Sequence, residues 1–554
     1  MWVFRRPILS VGLLAISSML TACGGGGGGG SSSAIDVHVT TRSISGQVLQ
    51  GDTTMLQAYA TVTVDENFSG GAIYVIVNDR GATPVLQTAQ LLQDVDGYRV
   101  DVLTRGDLPP GRYASTFQVS VCNNPGCSTV YARESVSYVL QVDSATHLTA
   151  LTPLEGAGDW TERSGSFGRS NYVGVTLDPA DFNARWRTRI PDFYSGMHNP
   201  FMLPVDPALT ADDAIFFPTT QGSDNGSRTM MALNESDGSV RWSFNGSVLD
   251  REPLIANGVL YSKANEQYQT AIAGFDLATG GLVALIPTGN ISDATLTHAD
   301  GRLVYAGSVP DPSGNRLVGL NLGTQTVEWH HPFTTPVTSF GADGDTLVSY
   351  VAAYSTVSYE HGTINYPAKL NFLRASDGAT TGSIEEPSFD PANYADHHAH
   401  LVPGGTGEVI GAAGTRIAFF DTVAGTLRWS LTDRYFLAAG EGVTYLMRSV
   451  YGPSGGAPDL FVDAVSNVNG ATLWTWAVPE QDSQIHSFIF TRNVALMATA
   501  GRTIALDLAT RQVVWSYPRS GALSMSRNGV LYLMRSQTQS SLQADGEVIA
   551  FNLH

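Results

Sequence analysis

The chain has 554 residues, of which 15% are charged, with 58 glycines, 26 prolines and a formal net charge of −19. That length exceeds one ordinary core and requires several domains or a repeat array, and few charges with many turn formers suit an all-β protein. The acidity is scattered and basic patches are absent, which excludes nucleic acid as a partner and leaves solubility as the role of the charge.

The N-terminus "MWVFRRPILSVGLLAISSMLTAC" has a basic start at Arg5 and Arg6 and an apolar run from Ile8 to Met19. The run is short for a bilayer span, which needs about 20 residues, so residues 1–22 read as a signal peptide. Leu20-Thr21-Ala22-Cys23 resembles the bacterial lipobox. The resemblance implies cleavage before Cys23 and a lipid anchor on it, with three acyl chains, where a single chain holds only marginally. "GGGGGGGSSS" at 24–33 follows, so 23–35 is a lipidated tether, the ten residues having a reach of roughly 17–19 Å. Gly24 stands where an Asp would favour inner-membrane retention in enteric-type sorting, which by resemblance implies the outer membrane, on its periplasmic face or at the cell surface.

Residues 36–144 alternate apolar and polar at period two in "IDVHVTTRSISGQVLQG", "AIYVIVND", "GYRVDVLT", "YASTFQVSVC" and "VSYVLQV". Turn signals separate these runs, and about seven short strands predict an immunoglobulin-like or fibronectin-like β-sandwich. Cys122 and Cys127 frame "NNPG" and are the only thiols besides Cys23. In an oxidising compartment they predict a hairpin-clamping disulfide; two thiolates are too few for structural zinc, and the spacing is not Cys-x-x-Cys.

From about 150 to 554 a turn and a tryptophan strand recur: "DGSVRWSF" at 237–244, "AGTLRWSL" at 424–431, "NGATLWTW" at 469–476 and "TRQVVWSY" at 510–517. The aligned column is Trp186, Trp242, Ala284, Trp329, Gly382, Trp429, Trp474 and Trp515, with spacings of 56, 42, 45, 53, 47, 45 and 41. Periods of 40–50 built from four short strands predict a β-propeller. One surplus Trp strand at 184–190 and one missing after "GEVIAFNLH" predict that the two ends pair and close the ring. The expectation is eight blades, with seven as second choice if the unit at 284 or 382 is degenerate. The tryptophans are expected to pack between blades, with looser contacts at Ala284 and Gly382.

"GFDLATGGLVAL" and "ALDLATRQVVWSY" resemble the Ala-x-Asp-x-x-Thr-Gly-x-x-x-Trp repeat of the PQQ-like (quinoprotein-like) propellers. The resemblance covers about 150–554 and implies one of two branches. The quinoprotein dehydrogenases hold pyrroloquinoline quinone (PQQ) and Ca²⁺ and commonly carry adjacent cysteines against the quinone; the propeller here has no Cys. No Asp/Asn/Glu cluster is assignable to their calcium ligands and base. The other branch includes non-enzymatic scaffolds such as the propeller lipoprotein of the outer-membrane β-barrel assembly machinery, which fits a lipobox and eight blades but lacks a preceding sandwich.

Other chemistry is sparse. "YADHHAHLVP" at 394–403 gathers Asp396, His397, His398 and His400 in what reads as a loop before a strand. Asp396, His398 and His400 are the metal candidates, although alternation sets His397 on the opposite face from His398 and His400. His330-His331 reads as a blade-end turn, and "DPSGN" at 311–315 as a turn without the full EF-hand pattern. Tyr354, Tyr359 and Tyr366 lie in a long insertion that suits a binding rim. No catalytic residue is assigned. The resulting expectation is a lipid-anchored envelope protein, a monomeric ring acting as a non-catalytic scaffold for outer-membrane or periplasmic proteins and needing no cofactor. A quinoprotein-type oxidoreductase with PQQ and Ca²⁺, or a surface adhesin or glycan binder, is the alternative.

Overall fold

A computed structural model describes residues 35–554 except 40, 42, 65–73, 95–96, 145, 163–169, 194–207, 221–227, 249–252, 267–268, 289, 309–315, 333–339, 344, 352–353, 359–361, 367, 387–396, 403–406, 452–457, 480–481, 483 and 537–543. Signal peptide, Cys23 and tether fall outside the described residues. The chain is all-β and divides into two compact units, residues up to 145 with Ser516–Pro518, and Thr146–Trp515 with Arg519–His554. Among the described residues no helix is long and apolar enough to cross a membrane.

The first unit has strands β1 (Ile35–Val39), β2 (Ser43–Leu49), β3 (Met55–Val64), β4 (Tyr74–Asp79), β5 (Leu86–Asp94), β6 (Gly97–Thr104), β7 (Gly111–Cys122) and β8 (Val130–Asp143). They make two sheets of order β1-β3-β6-β5 and β2-β8-β7-β4, in which β2 runs parallel to β8. The alternating apolar positions of both sheets meet in one core: Val48, Leu56, Val100, Val102, Phe117, Tyr138, Leu140 and Val142. Phe117 stacks on Tyr138 with ring centroids 4.2 Å apart. A sheet face that alternates in sequence must bury its apolar half against something, and here each sheet buries it against the other.

The second unit repeats an antiparallel four-stranded sheet. The first sheet has Leu209–Ala211, Ala214–Thr220, Arg228–Asn234 and Val240–Val248; the second has Leu254–Ala256, Val259–Glu266, Gln269–Asp276 and Leu282–Pro287. A single bridge, Val248 to Ala264, joins these two. The third sheet has Asn290–Ala299, Arg302–Ser308, Arg316–Asn321 and Thr326–Pro332. In the fourth (Phe340–Asp343, Thr346–Val351, Ala368–Arg374, Thr380–Glu386) a hairpin, Tyr354–Ser358 with Gly362–Tyr366, is inserted between the second and third strands. The fifth has His397–Leu401, Glu408–Ala413, Arg416–Asp421 and Thr426–Leu431; the sixth has Tyr435–Ala439, Val443–Val450, Asp459–Ser466 and Thr472–Ala477. The seventh has Ser487–Phe490, Val494–Ala498, Thr503–Asp507 and Val513–Tyr517. The eighth takes Ala522–Met525, Val530–Ser536 and Ala544–Asn552 from the C-terminus, and its fourth strand is β9 (Asn183–Phe193). Neighbouring first strands lie side by side around an axis, and the first strand of the eighth sheet meets that of the first sheet.

The turn between third and fourth strands explains the acidic residue of the repeat. Asp276 Oδ1 accepts from the backbone N–H of Ala278 and Thr279 and from the Thr279 hydroxyl; Asp507 does the same for Ala509 and Thr510. These are turn-closing hydrogen bonds. Just after the turn the fourth strand carries a bulge in seven of the sheets, at Arg241 opposite Ala232 and Leu233, for example, or at Arg428 opposite Phe419 and Phe420. The extra residue reaches back to the turn: Arg241 donates to Asn234 Oδ1 and Arg428 to Asp421 Oδ2.

Beyond the bulge the tryptophan points at the next sheet. Trp186 Nε1 donates to the Glu235 carbonyl at 2.7 Å, Trp242 to Leu277 at 2.9 Å, Trp329 to Ala375 at 2.8 Å and Trp429 to Asn467 at 2.9 Å. Each acceptor sits in the following sheet's turn. A Cβ added to the turn residue there would strike the same indole, at 2.5 Å for Gly238, Gly280 and Gly378 and 3.0 Å for Gly470. Tryptophan and turn glycine are thus two halves of one inter-sheet joint. Where the column has Ala284, the next turn carries Gln325 in place of glycine, and the joint is filled by Ile286, Leu296, Tyr261 and Tyr305. Where it has Gly382, Phe372 lies directly across and packs with Ile384 and Phe420. Trp474 is half-buried and packs on Tyr445, while Trp515 meets Phe551 and Phe182 edge-on.

Candidate functional site

The start of the second unit, without alternation in sequence, rims the axis of the ring. Leu154 N–H bonds to the Arg527 carbonyl after the eighth sheet's first strand. Thr210 N–H bonds to the Trp160 carbonyl at 2.8 Å, and Trp160 N–H to Thr210 Oγ1 at 2.7 Å, on the first sheet. Ile255 N–H bonds to the Thr161 carbonyl, and Thr297 Oγ1 to Glu162, on the second and third sheets. After 163–169 the segment returns on the sixth and seventh sheets. There Ala439 N–H bonds to the Ser170 carbonyl, and Val173 N–H bonds to the Phe490 carbonyl, which faces Tyr172 in a parallel bridge. Arg492 N–H bonds to the Val175 carbonyl, and Asn493 holds both backbone groups of Leu177. Trp160, Val175 and Leu177 are buried. Most of these partners lie at the ends of first strands that lead into the short first-to-second turns. That end of the axis is therefore lined by the protein's own chain, 154–162 on one side and 170–177 on another. The second-to-third and fourth-to-first connections, including the hairpin Tyr354–Tyr366, leave from the opposite ends of the strands.

The seam where the eighth sheet meets the first holds the second feature. Glu235 is 1% exposed, and it occupies the turn position filled by Leu277, Leu322, Leu508 and Leu553 elsewhere. The Ser526 hydroxyl donates to Glu235 Oε1, while Ser526 Oγ itself accepts from the Asn528 and Val530 N–H groups. Burial pushes the Glu235 carboxyl up to about 7, against the pull of Ser526 and Asn528. The Tyr532 phenol is fully buried beside it, and burial, then the Glu235 charge, holds it well above 10. Arg185 on β9 is 2% exposed and is held by neutral oxygens: the carbonyls of Glu235, Ser236 and Thr149 and the side chains of Thr149 and Asn552. Burial lowers its pKa. Asp213 accepts from Asn528 at 2.9 Å and Arg527 at 3.0 Å, and the hydrogen bond from Asn528 lowers its pKa. Sequence reasoning passed over this cluster, although the one acidic residue in a column that is leucine in four of its eight places is a visible signal.

The residues singled out from sequence fall as follows. Cys122 and Cys127 are disulfide-bonded, with Cα atoms 5.0 Å apart. His397, His398 and His400 lie in a strand, His397–Leu401, rather than a loop, pairing with Ala413, Ala412 and Ile410. Asp396 and "DPSGN" lie outside the described residues. His330 and His331 belong to the strand Thr326–Pro332, not to a turn, because the strand continues past Trp329 to pair with Arg316. Tyr354 and Tyr366 are paired at the base of the inserted hairpin, and Tyr359 is outside the described residues. Among the described residues no group of three His, Cys, Asp or Glu side chains is placed to hold a metal ion.

A family model described as "Outer membrane protein assembly factor BamB" matches residues 169–349. No curated protein matches the chain. Among solved structures, quinohemoprotein alcohol dehydrogenase from Comamonas testosteroni is 14% identical with a TM-score of 0.52, over 73% of this chain and 81% of its own. A europium-containing methanol dehydrogenase is 11% identical with a TM-score of 0.50, over 72% and 98%. BamB from Moraxella catarrhalis is 13% identical with a TM-score of 0.43, over 67% and 98%. At such identities the likeness is one of fold, and the fold is a PQQ-like β-propeller.

Proposed function

We propose that this chain is a lipid-anchored envelope protein whose eight-bladed propeller is a non-catalytic docking platform for an outer-membrane or periplasmic protein. The observation that supports the reading is the asymmetry of the ring. Residues 154–162 and 170–177 line one end of the axis, while the inserted hairpin and the long connections leave from the other. Variable loops on a rigid scaffold are where recognition concentrates. Cys23 supplies the anchor, and the ring takes no cofactor. The N-terminal unit is an immunoglobulin-like sandwich: its strand order corresponds to ABED and A′GFC, and Tyr113, at the start of β7, donates to the Pro109 carbonyl in the manner of a tyrosine corner.

Crosslinking and capture from membranes of the native bacterium tests the reading, comparing the full chain with a variant in which Tyr354–Tyr366 is replaced by a short Gly/Ser turn. Specific envelope proteins captured by the full chain and lost with the hairpin variant are the expected result. Identical capture by both overturns the assignment of the docking face. The competing reading, an oxidoreductase, is favoured by the fold likeness to quinoprotein dehydrogenases. Saturable binding of PQQ with Ca²⁺ and dye reduction by the purified chain would establish it and sink the scaffold.

A further inference from the structure

The ring closes non-covalently. Its eighth sheet is completed by a strand drawn from residues 183–193, and the junction with the first sheet is where a buried carboxyl, Glu235, stands at the turn position that four other sheets fill with leucine. We infer that this seam is a proton-operated latch, with Glu235 holding a proton when the first and eighth sheets are closed on each other and releasing it when they part.

The geometry carries the inference. Glu235 lies in a seat sized for leucine, between the Ser526–Asn528 turn and Tyr532, all of the eighth sheet. A hydroxyl, an amide and a phenol can hydrogen-bond either form of a carboxyl, but none of them neutralises a charge. The charged groups facing the seam were considered element by element. Arg185 of β9 spends its N–H groups on neutral oxygens, one of them the Glu235 backbone carbonyl, so its charge reaches the Glu235 carboxyl through space without an ion pair. Arg527, in the eighth sheet's turn, pairs with Asp213. Asp213 and Asp159, from the first-sheet turn and the connecting segment, oppose ionisation of Glu235. Asp237, in the same turn as Glu235, is turned to the hydroxyl and N–H of Ser239. An ionised Glu235 would therefore sit buried and without a salt-bridge partner, which is costly, whereas a protonated one fits. When the seam opens, water restores the ordinary carboxyl.

The sign follows from linkage. The closed seam binds the extra proton between the ordinary carboxyl value of 4.5 and about 7, so closure weakens as pH rises across that window and levels off above it. The opening constant rises by up to about tenfold per pH unit there.

Hydrogen–deuterium exchange on the full chain tests this, with rates corrected for intrinsic pH dependence. Protection is read on peptides covering 183–193 and 544–552 and divided by that of 259–276 in the second sheet. The expected result is a ratio that falls by up to about 100-fold from pH 5 to pH 7 and is flat above pH 7.5. Glu235→Gln and Glu235→Leu should both flatten the ratio near its acid value, and Asp159→Asn should keep the fall. A ratio independent of pH in the wild type overturns the latch, even if neither Glu235 variant folds. A fall that survives Glu235→Leu, or vanishes only in Asp159→Asn, also overturns it.

Discussion

Two turn glycines provide an internal control for the inter-sheet joint. Gly280 and Gly425 hold the same place in the repeat, with φ of +68° and +66°. A methyl added at Gly280 would lie 2.5 Å from Trp242 Cδ2, whereas at Gly425 nothing lies within 4 Å, because the preceding sheet carries Gly382 in place of tryptophan. Alanine in a left-handed conformation costs roughly 1–2 kcal/mol, and both variants incur that cost. Overpacking a filled site adds about 1–3 kcal/mol, and only Gly280→Ala incurs it. Equilibrium unfolding in guanidinium chloride, followed by tryptophan fluorescence, should therefore show the Gly280 variant less stable than the Gly425 variant by about 1–3 kcal/mol. In a Trp242→Ala background the excess should disappear, since the atom being struck is gone. Equal losses at the two glycines, or an excess that persists without Trp242, would refute the pairing of tryptophan with the next sheet's glycine.

Other consequences can be measured alongside. Ala284→Trp alone should destabilise, because its partner turn carries Gln325, and adding Gln325→Gly should recover part of the loss in the same unfolding assay. Replacing Cys122 and Cys127 by serine removes a bond across a sequence separation of 5, and the sandwich should lose about 2 kcal/mol, read from its own transition in an isolated 36–144 fragment if that fragment folds. The turn carboxyls Asp276, Asp421 and Asp507 have pKa values lowered by side-chain and backbone hydrogen bonds. Their contribution is complete above the ordinary value of 3.8 and is lost as pH falls through the lowered native values, so Asp→Asn at each should reduce stability at pH 7 and the difference from the unsubstituted chain should shrink below pH 4. Cys23→Ser should free the chain from the membrane fraction and abolish labelling by a radioactive fatty acid.

The fold was legible because its joints are local in sequence. A tryptophan, the bulge before it and the Asp-capped turn lie within ten residues of one another, as in Asp507–Trp515, and they recur at a period that only a stack of similar sheets produces. The surplus strand was legible for the same reason, since β9 carries the repeat's own Arg185-Trp186 step. The rim segment was not legible. Its partners, Thr210 and Phe490, lie 50 and more than 300 residues away, it contributes single hydrogen bonds instead of a ladder, and "TPLEGAGDWTERSGS" has no period to detect. The histidine run misled because local polarity marks loops only on average. His397–Leu401 is a first strand, and the backbone pairing with Glu408–Ala413 decides its conformation.

Rim segment and seam together explain why the two ends of the ring differ. At the end with short turns, the chain between Leu154 and Leu177 is tied to five of the sheets by backbone hydrogen bonds and to the third by the Thr297 hydroxyl on Glu162. An opening motion of the seam must also strain this strap, because Leu154 is bonded to the eighth sheet and Trp160 to the first. The strap thus limits how far the first and eighth sheets separate when Glu235 ionises, confining the response to loosening rather than loss of the ring. At the other end, among the described residues, the bridge from Val248 to Ala264 joins the first and second sheets, and a hairpin is added on the fourth. Movement at the seam would consequently be felt most at the strand ends farthest from the strap, the same ends that present the proposed docking face.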